Sequence, residues 1–244
     1  MRVAMMSDVH LDGPEDAVQK LFLRFLERLE ADELWLLGDV FHRFWTVADR
    51  PAPPYEEVFE LLTKRIDGGL TVRWVPGNHD FALSTTLANR VGLVVSSTVQ
   101  QQVGKLRVHA EHGDLCDTGW AYGLTSLVLR GPLFALWSQL IGFKRTWSLL
   151  GRLAGAAHYE GPITEGPVVR AQHARASKLL ARGADLVVMG HTHVPVNTVG
   201  DAGRFVNLGA FDHARHILIV SDTGAQRYYV ADDGAIRADD WADD

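Results

Sequence analysis

Five short apolar runs in this 244-residue chain each end in residue types able to hold a metal ion. Val72 to Val75 leads through Pro76 and Gly77 into Asn78, His79 and Asp80. Val3 to Met6 leads into Asp8 and His10, and Leu34 to Leu37 leads through Gly38 into Asp39. Leu106 to Ala110 leads into His112 and Asp114, and Leu186 to Met189 leads through Gly190 into His191 and His193. The donors of Asp8, His10, Asp39, Asn78, His112, His191 and His193 are oxygen and nitrogen, which favours Mn²⁺, Fe²⁺ or Zn²⁺ over softer ions. Seven ligands exceed what one zinc-like ion with an open position takes. They suit two divalent ions about 3.5–4 Å apart that share a carboxylate, with a hydroxide between them. Asp8 and His10 are two residues apart, as are His191 and His193, so on an extended segment both side chains of each pair point to one face. Taken singly, an Asp after a strand reads as a helix cap and a His as an ordinary hydrogen-bonded residue. Five strand ends with such donors read together as one composite site.

The elements that must position these donors are legible from periodicity. Strands are expected at Arg2 to Met6, Glu33 to Leu37 and the run before Pro76. Asp16 to Leu29 carries apolar residues at Val18, Leu21, Phe22, Phe25, Leu26 and Leu29, the stripe of an amphipathic helix, and Tyr55 to Ile66 repeats that pattern. Thr85 to Val91 reads as a short helix and Leu93 to Val103 as strands joined by a turn. Strand and helix in alternation argue for an α/β fold with a largely parallel sheet, whose sites gather at the carboxyl ends of the strands. After His193, runs at Pro195 to Val199, Arg204 to Leu208, Ile217 to Ser221 and Gln226 to Val230 read as an antiparallel set closing a second sheet. Asp232 to Asp244 reads as a solvated acidic tail.

Composition bounds the function. Net charge is −6, with 47% apolar and 22% charged residues, so the chain is of globular type and no global basic field points to nucleic acid. The length fits one domain spanning 1–244, with an insertion at about 118–165. Cys116, the sole cysteine, excludes an internal disulfide and a thiolate cluster and suits a reducing, cytoplasmic setting. The N-terminus reads as a first strand instead of a signal peptide, and no run has the eighteen or so apolar residues of a membrane span. One region departs from the rest. From Thr118 to Tyr159 there is no Asp or Glu, while Arg130, Lys144, Arg145 and Arg152 are present beside Trp120, Trp137 and Trp147. Helical spacing fits Leu124 to Leu129, Leu133 to Ile141 and Trp147 to Leu153. Two readings stand: a helical hairpin packed on the core, or an apolar, basic surface facing lipid, with Arg130, Lys144, Arg145, Arg152, Trp137 and Trp147 as substrate contacts.

The ordered set Asp8-Val9-His10, Gly38-Asp39, Gly77-Asn78-His79-Asp80, His112-Gly113-Asp114 and Gly190-His191-Thr192-His193 resembles the calcineurin-like metallophosphoesterase superfamily. The resemblance implies a four-layer α/β/β/α sandwich and metal-dependent hydrolysis of a phosphate ester or anhydride, with Mn²⁺ the first expectation for both ions. It places Asp8, His10 and His193 on one ion, Asn78, His112 and His191 on the other, and Asp39 between them. His79 matches the family's non-ligand histidine beside the phosphate, a general acid or charge stabiliser. Asp80 and Asp114 match groups that orient ligand imidazoles.

Within the superfamily, Ser7-Asp8-Val9-His10-Leu11, Gly38-Asp39-Val40-Phe41 and the insertion after His112-Gly113-Asp114-Leu115-Cys116 are similar to UDP-2,3-diacylglucosamine hydrolases of lipid A synthesis. That likeness implies a helical acyl-chain cap over the insertion, release of UMP from a lipid-linked substrate, and peripheral association with the inner face of the cytoplasmic membrane. Three departures bear on the substrate. The best-known branch has Arg at the position of His79. An acidic residue commonly stands at the position of His42, which here reads as a substrate contact or a plain loop residue. An acidic pair is replaced by Thr118-Gly119 behind Asp117. A soluble phosphodiesterase or nucleotide hydrolase needs the same donors without the apolar insertion, and a metal-free scaffold would have lost donors that are all present.

Overall fold

Every side chain of β1 (Val3–Met6) and β2 (Glu33–Leu37) is buried, so both faces of these strands have something packed on them. Alternation sends the two sets in opposite directions. Ala4, Met6, Leu34 and Leu36 join Val72 and Trp74 of β4 (Thr71–Val75) against α1 (Ala17–Arg28), α2 (Glu56–Asp67) and α3 (Thr85–Val91). Val3, Met5, Trp35 and Leu37 face the other way, onto Val108 of β8 (Leu106–Ala110), Leu186 and Val188 of β9 (Leu186–Met189) and Val206 of β11 (Gly203–Asn207). The outer face of that second sheet, through Val187, Met189 and Phe205, packs on Ala176 of α4 (Pro167–Ala181). Helices, sheet, sheet and helix make the four-layer α/β/β/α sandwich. This computed structural model describes residues 1–46, 49–116 and 162–239, with a few positions between 137 and 149. The insertion and its three expected helices therefore fall largely outside the described residues.

The first sheet runs β14-β13-β12-β1-β2-β4-β6, with β6 at Val94–Val95, β12 at His216–Ser221, β13 at Gly224–Val230 and β14 at Ile236–Ala238. β1, β2, β4 and β6 are mutually parallel, in the register Val3↔Glu33 and Glu33↔Thr71. The second sheet runs β10-β11-β9-β8-β7, with β7 at Val99–Val103 and β10 at Val196–Gly200. Its three middle strands are parallel. A two-stranded ribbon joins β3 (Phe44–Trp45) and β5 (Asp80–Ala82).

Two expectations are corrected. The strands after His193 do not close one sheet: β10 and β11 stay in the second, while β12 and β13 return to the first, β12 antiparallel to β1. The crossover uses the short helix α5 (Phe211–Ala214), and β12 is buried on both faces, Ile217 and Ile219 toward the helices and Leu218 and Val220 toward the other sheet. A strand loaded on both faces belongs in the middle of a sheet. The acidic tail is also not wholly solvated, since Ile236 to Ala238 pairs with β13. In α4 the buried positions are Val168, Gln172 and Ala176, with Leu179 and Leu180 half-buried against the second sheet. Among the described residues no helix is long and apolar enough to cross a membrane.

Candidate metal centre

The parallel strands of both sheets deliver their donors from their carboxyl ends, and the loops interlock there. The backbone N–H of Asp8 donates to the carbonyl of Gly38 (3.1 Å), and those of Val9 and His10 donate to Asp39 (2.9 and 3.0 Å). Across the sandwich, the N–H of His191 donates to Oδ2 of Asp8 (2.9 Å) and Nδ1 of His112 to the carbonyl of Leu37 (2.8 Å). Two glycines permit this closeness. A β-carbon on Gly77 would stand 2.8 Å from Cγ of Asp39, and one on Gly190 would stand 2.7 Å from Cβ of Ser7.

The extended geometry expected for the Asp-x-His and His-x-His pairs is not what the chain adopts. Asp8, His10, Asp39, His191 and His193 all lie in the left-handed region, with φ of 53°, 51°, 51°, 73° and 59°. For residues with a β-carbon this costs on the order of 1–2 kcal/mol each. Such strain is held in place by the surrounding fold and gathers at functional sites. Asp8 and His10 still reach one point, by paired left-handed turns instead of a pleat, and His191 and His193 diverge to two.

Two donor groups result. Asp8, His10 and His193 each offer one atom within 4.8 Å of the others, and so do Asp39, His112 and His191. Nε2 of His10 lies 3.2 Å from Nε2 of His193, which is 3.4 Å from Oδ1 of Asp8. Nε2 of His112 lies 3.2 Å from Oδ1 of Asn78 and 3.3 Å from Oδ2 of Asp39. Ligands about 2.1 Å from a common ion at near-tetrahedral angles are separated by about 3.4 Å. With Nδ1 of His112 donating to the Leu37 carbonyl, Nε2 faces two oxygen acceptors, an arrangement satisfied either by a proton on Nε2 or by a cation in its place. Oδ1 of Asp8 is buried with only the 3.4 Å approach of His193 beside it, and Nδ1 of His193 is buried without a hydrogen-bond partner among the described residues. The donor set therefore fits divalent ions.

Electrostatics agree. Burial works to raise the carboxyl of Asp8, but the His193 hydrogen bond and the charge of His112 hold it low. Burial is likewise outweighed at Asp39, held well below the carboxylate range chiefly by His112 and His79. Burial depresses His10 to about 3, against the pull of Asp39 and Asp8. At His112 the balance reverses: burial opposes the charge, yet Asp39 and Asp8 push it up to about 10. Carboxylates held anionic in a buried cradle call for positive charge, which a protonated imidazole or a metal ion supplies.

The calcineurin-like phosphoesterase family profile matches residues 1–195. The chain belongs to this family. It is a metal-dependent phosphoesterase. It is 30% identical over 218 residues to the UDP-2,3-diacylglucosamine hydrolase of Stenotrophomonas maltophilia (strain K279a), covering 84% of this chain and 87% of that one. It is 30% identical over 243 residues to the enzyme of the same name from Xanthomonas axonopodis pv. citri (strain 306), covering 92% and 97%. Among solved structures, Vps29 of Cryptosporidium parvum aligns with a TM-score of 0.50 at 15% identity, over 98% of this chain and 95% of that one, a likeness of fold.

The other candidates fall around this phosphoesterase centre in different ways. His79 sits beside it, its N–H on Oδ1 of Asp39 (2.8 Å) and its ring 5.2 Å from that of His10. Asp80 does not orient an imidazole as expected. Its oxygens accept from the N–H groups of Val40, Phe41 and Gly77 at 3.3 Å and from Nε1 of Trp74 at 3.4 Å, so it clamps the loops after β2 and β4 together. Burial and the nearby Asp39 raise it to about 6. Asp114 is buried and favours the charged forms of His112 and His191. Of the basic and aromatic residues in the insertion, Arg130, Lys144, Trp147 and Arg152 lie outside the described residues, while Arg145 is exposed and Trp137 half-buried. Sequence reasoning missed the residues that hold the His191–His193 loop. Nδ2 of the fully buried Asn207 donates to the carbonyl of Gly190 (2.7 Å), as does Nε2 of Gln172 (3.0 Å). Their only sequence signal is a polar side chain inside an otherwise apolar strand or helix.

Proposed function

We propose that the chain hydrolyses the pyrophosphate of a lipid-linked UDP-sugar of the UDP-2,3-diacylglucosamine type, releasing UMP and the acylated sugar phosphate, at a pair of Mn²⁺ ions. Asp8, His10 and His193 would hold one ion and Asn78, His112 and His191 the other, with Asp39 shared. When bound, such ions supply Lewis acidity toward a phosphoryl group and a nucleophilic water at neutral pH. The chain's own residues do the rest. His79 is oriented at two points, its N–H on Asp39 and its Nδ1 2.7 Å from the carbonyl of His42, which directs Nε2 outward. From there an N–H at Nε2 would stabilise the charge growing on phosphoryl oxygen or give its proton to the departing oxygen. Ser7 Oγ, 2.5 Å from Oδ2 of Asp8, and the His191 N–H occupy one carboxylate oxygen and leave the other for the ion.

The observation that carries the reading is the pair of three-donor groups built on Asp8 and Asp39. The lipid-linked substrate is supported by the activity for which the bacterial relatives are named and by the apolar insertion at about 118–165, free of Asp and Glu from Thr118 to Tyr159, which would serve as the acyl cap and dock on the cytoplasmic membrane face. The test is Mn²⁺-loaded protein with UDP-2,3-diacylglucosamine, following UMP release, with Asp39→Asn as the blank. Asp39-dependent release supports the assignment. No release, together with hydrolysis of an aryl phosphodiester, discards the lipid substrate and keeps the centre as that of a soluble phosphodiesterase.

A further inference from the structure

A third donor group stands at the mouth of the centre. His10, His42 and His79 each offer one ring nitrogen within 4.8 Å of the other two, and all three are part-exposed. The rings meet edge-on: His10 and His79 at 5.2 Å and 79°, His10 and His42 at 6.3 Å and 72°. His42 and His79 are 5.8 Å apart. Nitrogens about 2.1 Å from a common ion at tetrahedral to trigonal angles are about 3.4–3.6 Å apart, so pairs as wide as 4.8 Å must close by a little over an ångström, shared between two side chains, for the trio to hold an ion. His79 already has the outer hydrogen bond of a metal-bound histidine, its Nδ1 2.7 Å from a backbone carbonyl, as His112 has through Leu37. His10 presents Nε2 toward His193, while its Nδ1 is buried without a hydrogen-bond partner among the described residues. It is the one residue common to this trio and the Asp8 group.

We propose that His10, His42 and His79 form a third metal site, selective for an imidazole-seeking ion such as Zn²⁺, whose occupation inhibits the enzyme. The selectivity follows from the donors. Imidazole nitrogen alone suits Zn²⁺ and Cu²⁺, whereas Mn²⁺ and Mg²⁺ prefer carboxylate and water, which the trio lacks. Inhibition follows from sharing: an ion there draws His10 from the Asp8 group and removes His79 from the phosphate. This last step rests on the function proposed above; the site itself does not.

The experiment is a count of bound ions. Metal-stripped, untagged protein is saturated with Zn²⁺, desalted and measured by native mass spectrometry, beside His42→Gln and His42→Ala, each checked for an unchanged circular dichroism spectrum. The expected result is one Zn²⁺ fewer in both variants than in the wild type, and no such difference with Mn²⁺. Equal Zn²⁺ counts in wild type and both variants overturn the proposal, as does a difference that Mn²⁺ reproduces. Failure of the two-ion centre would lower all counts together and leave the difference of one intact, so the two failures are distinguishable. In the Mn²⁺-loaded enzyme, the Zn²⁺ concentration for half-inhibition should rise by about tenfold or more in His42→Gln, the range in which lost metal contacts change affinity.

Discussion

Gly190→Ala places one methyl group where the two sheets join the metal centre. The new β-carbon would overlap Oγ of Ser7 and Oδ2 of Asp8 and stand 2.7 Å from Cβ of Ser7. Carbon atoms in contact sit at about 3.5 Å or more, so something must move by roughly an ångström. Little around it can give. Ser7 and Asp8 are buried, the carbonyl of Gly190 is held by Asn207 and Gln172, and Asp8 Oδ2 is tied to the N–H of His191. Overpacking of this kind costs about 1–3 kcal/mol of stability. The larger effect falls on chemistry, because Asp8 and His191 then move relative to Asp39, and a misplacement of about 1 Å costs on the order of 10²-fold in rate. The assay is kcat/KM on a chromogenic phosphodiester at saturating Mn²⁺, with a thermal melt of the same sample. A folded Gly190→Ala enzyme within fivefold of the wild type would refute the account of Gly190 as the residue that lets the loops close on Asp8.

Two further outcomes are expected. Glu33 accepts from Nε1 of Trp35 (2.7 Å), Nε of Arg73 (2.8 Å) and Nε2 of Gln101 (3.0 Å). Burial opposes its charge, but the Arg73, Gln101 and Trp35 hydrogen bonds outweigh it and hold its carboxyl below the ordinary 4.5. A carboxyl depressed in the folded state contributes stability above its unfolded pKa and loses it as pH falls through the folded value. Glu33→Gln should therefore cost about 1–3 kcal/mol at pH 7 and progressively less below pH 4.5, read by urea denaturation; a pH-independent difference would count against the ion pair. Chelation of the metals should abolish activity and lower the melting temperature. At a metal concentration about 100 times Kd the stabilisation is about 2.7 kcal/mol, or roughly 5–10 °C for a domain of this size, and an unchanged melt on chelation would speak against a resident metal.

What could be read from sequence divides along physical lines. β1 and β2 were legible as short apolar runs because both their faces are buried, and α1 because burial of one face imposes a helical apolar stripe from its start at Asp16, whose carboxylate the structure shows accepting from the N–H groups of Val18 and Gln19. The convergence of strand ends was legible for a similar reason, since parallel strands in one sheet must end on the same side. The left-handed backbone at Asp8, His10, Asp39, His191 and His193 was not, because Asp and His are enriched at positive φ yet adopt it in only a small share of their positions, so residue type alone does not place it. The pairing of each His-x-His and Asp-x-His was accordingly reached by the wrong geometry. Asp80 shows the same limit from another side. The family resemblance implies an imidazole partner for this carboxylate, yet three backbone N–H groups and an indole claim it. His42 completes the pattern: a loop position in sequence, it lies in space beside His10 and His79, which come from the ends of β1 and β4. Side-chain chemistry can be read along the chain. Which backbone groups and which neighbours compete for it is settled only when the two sheets close, and it is there that the centre acquires both its strain and its third group of histidines.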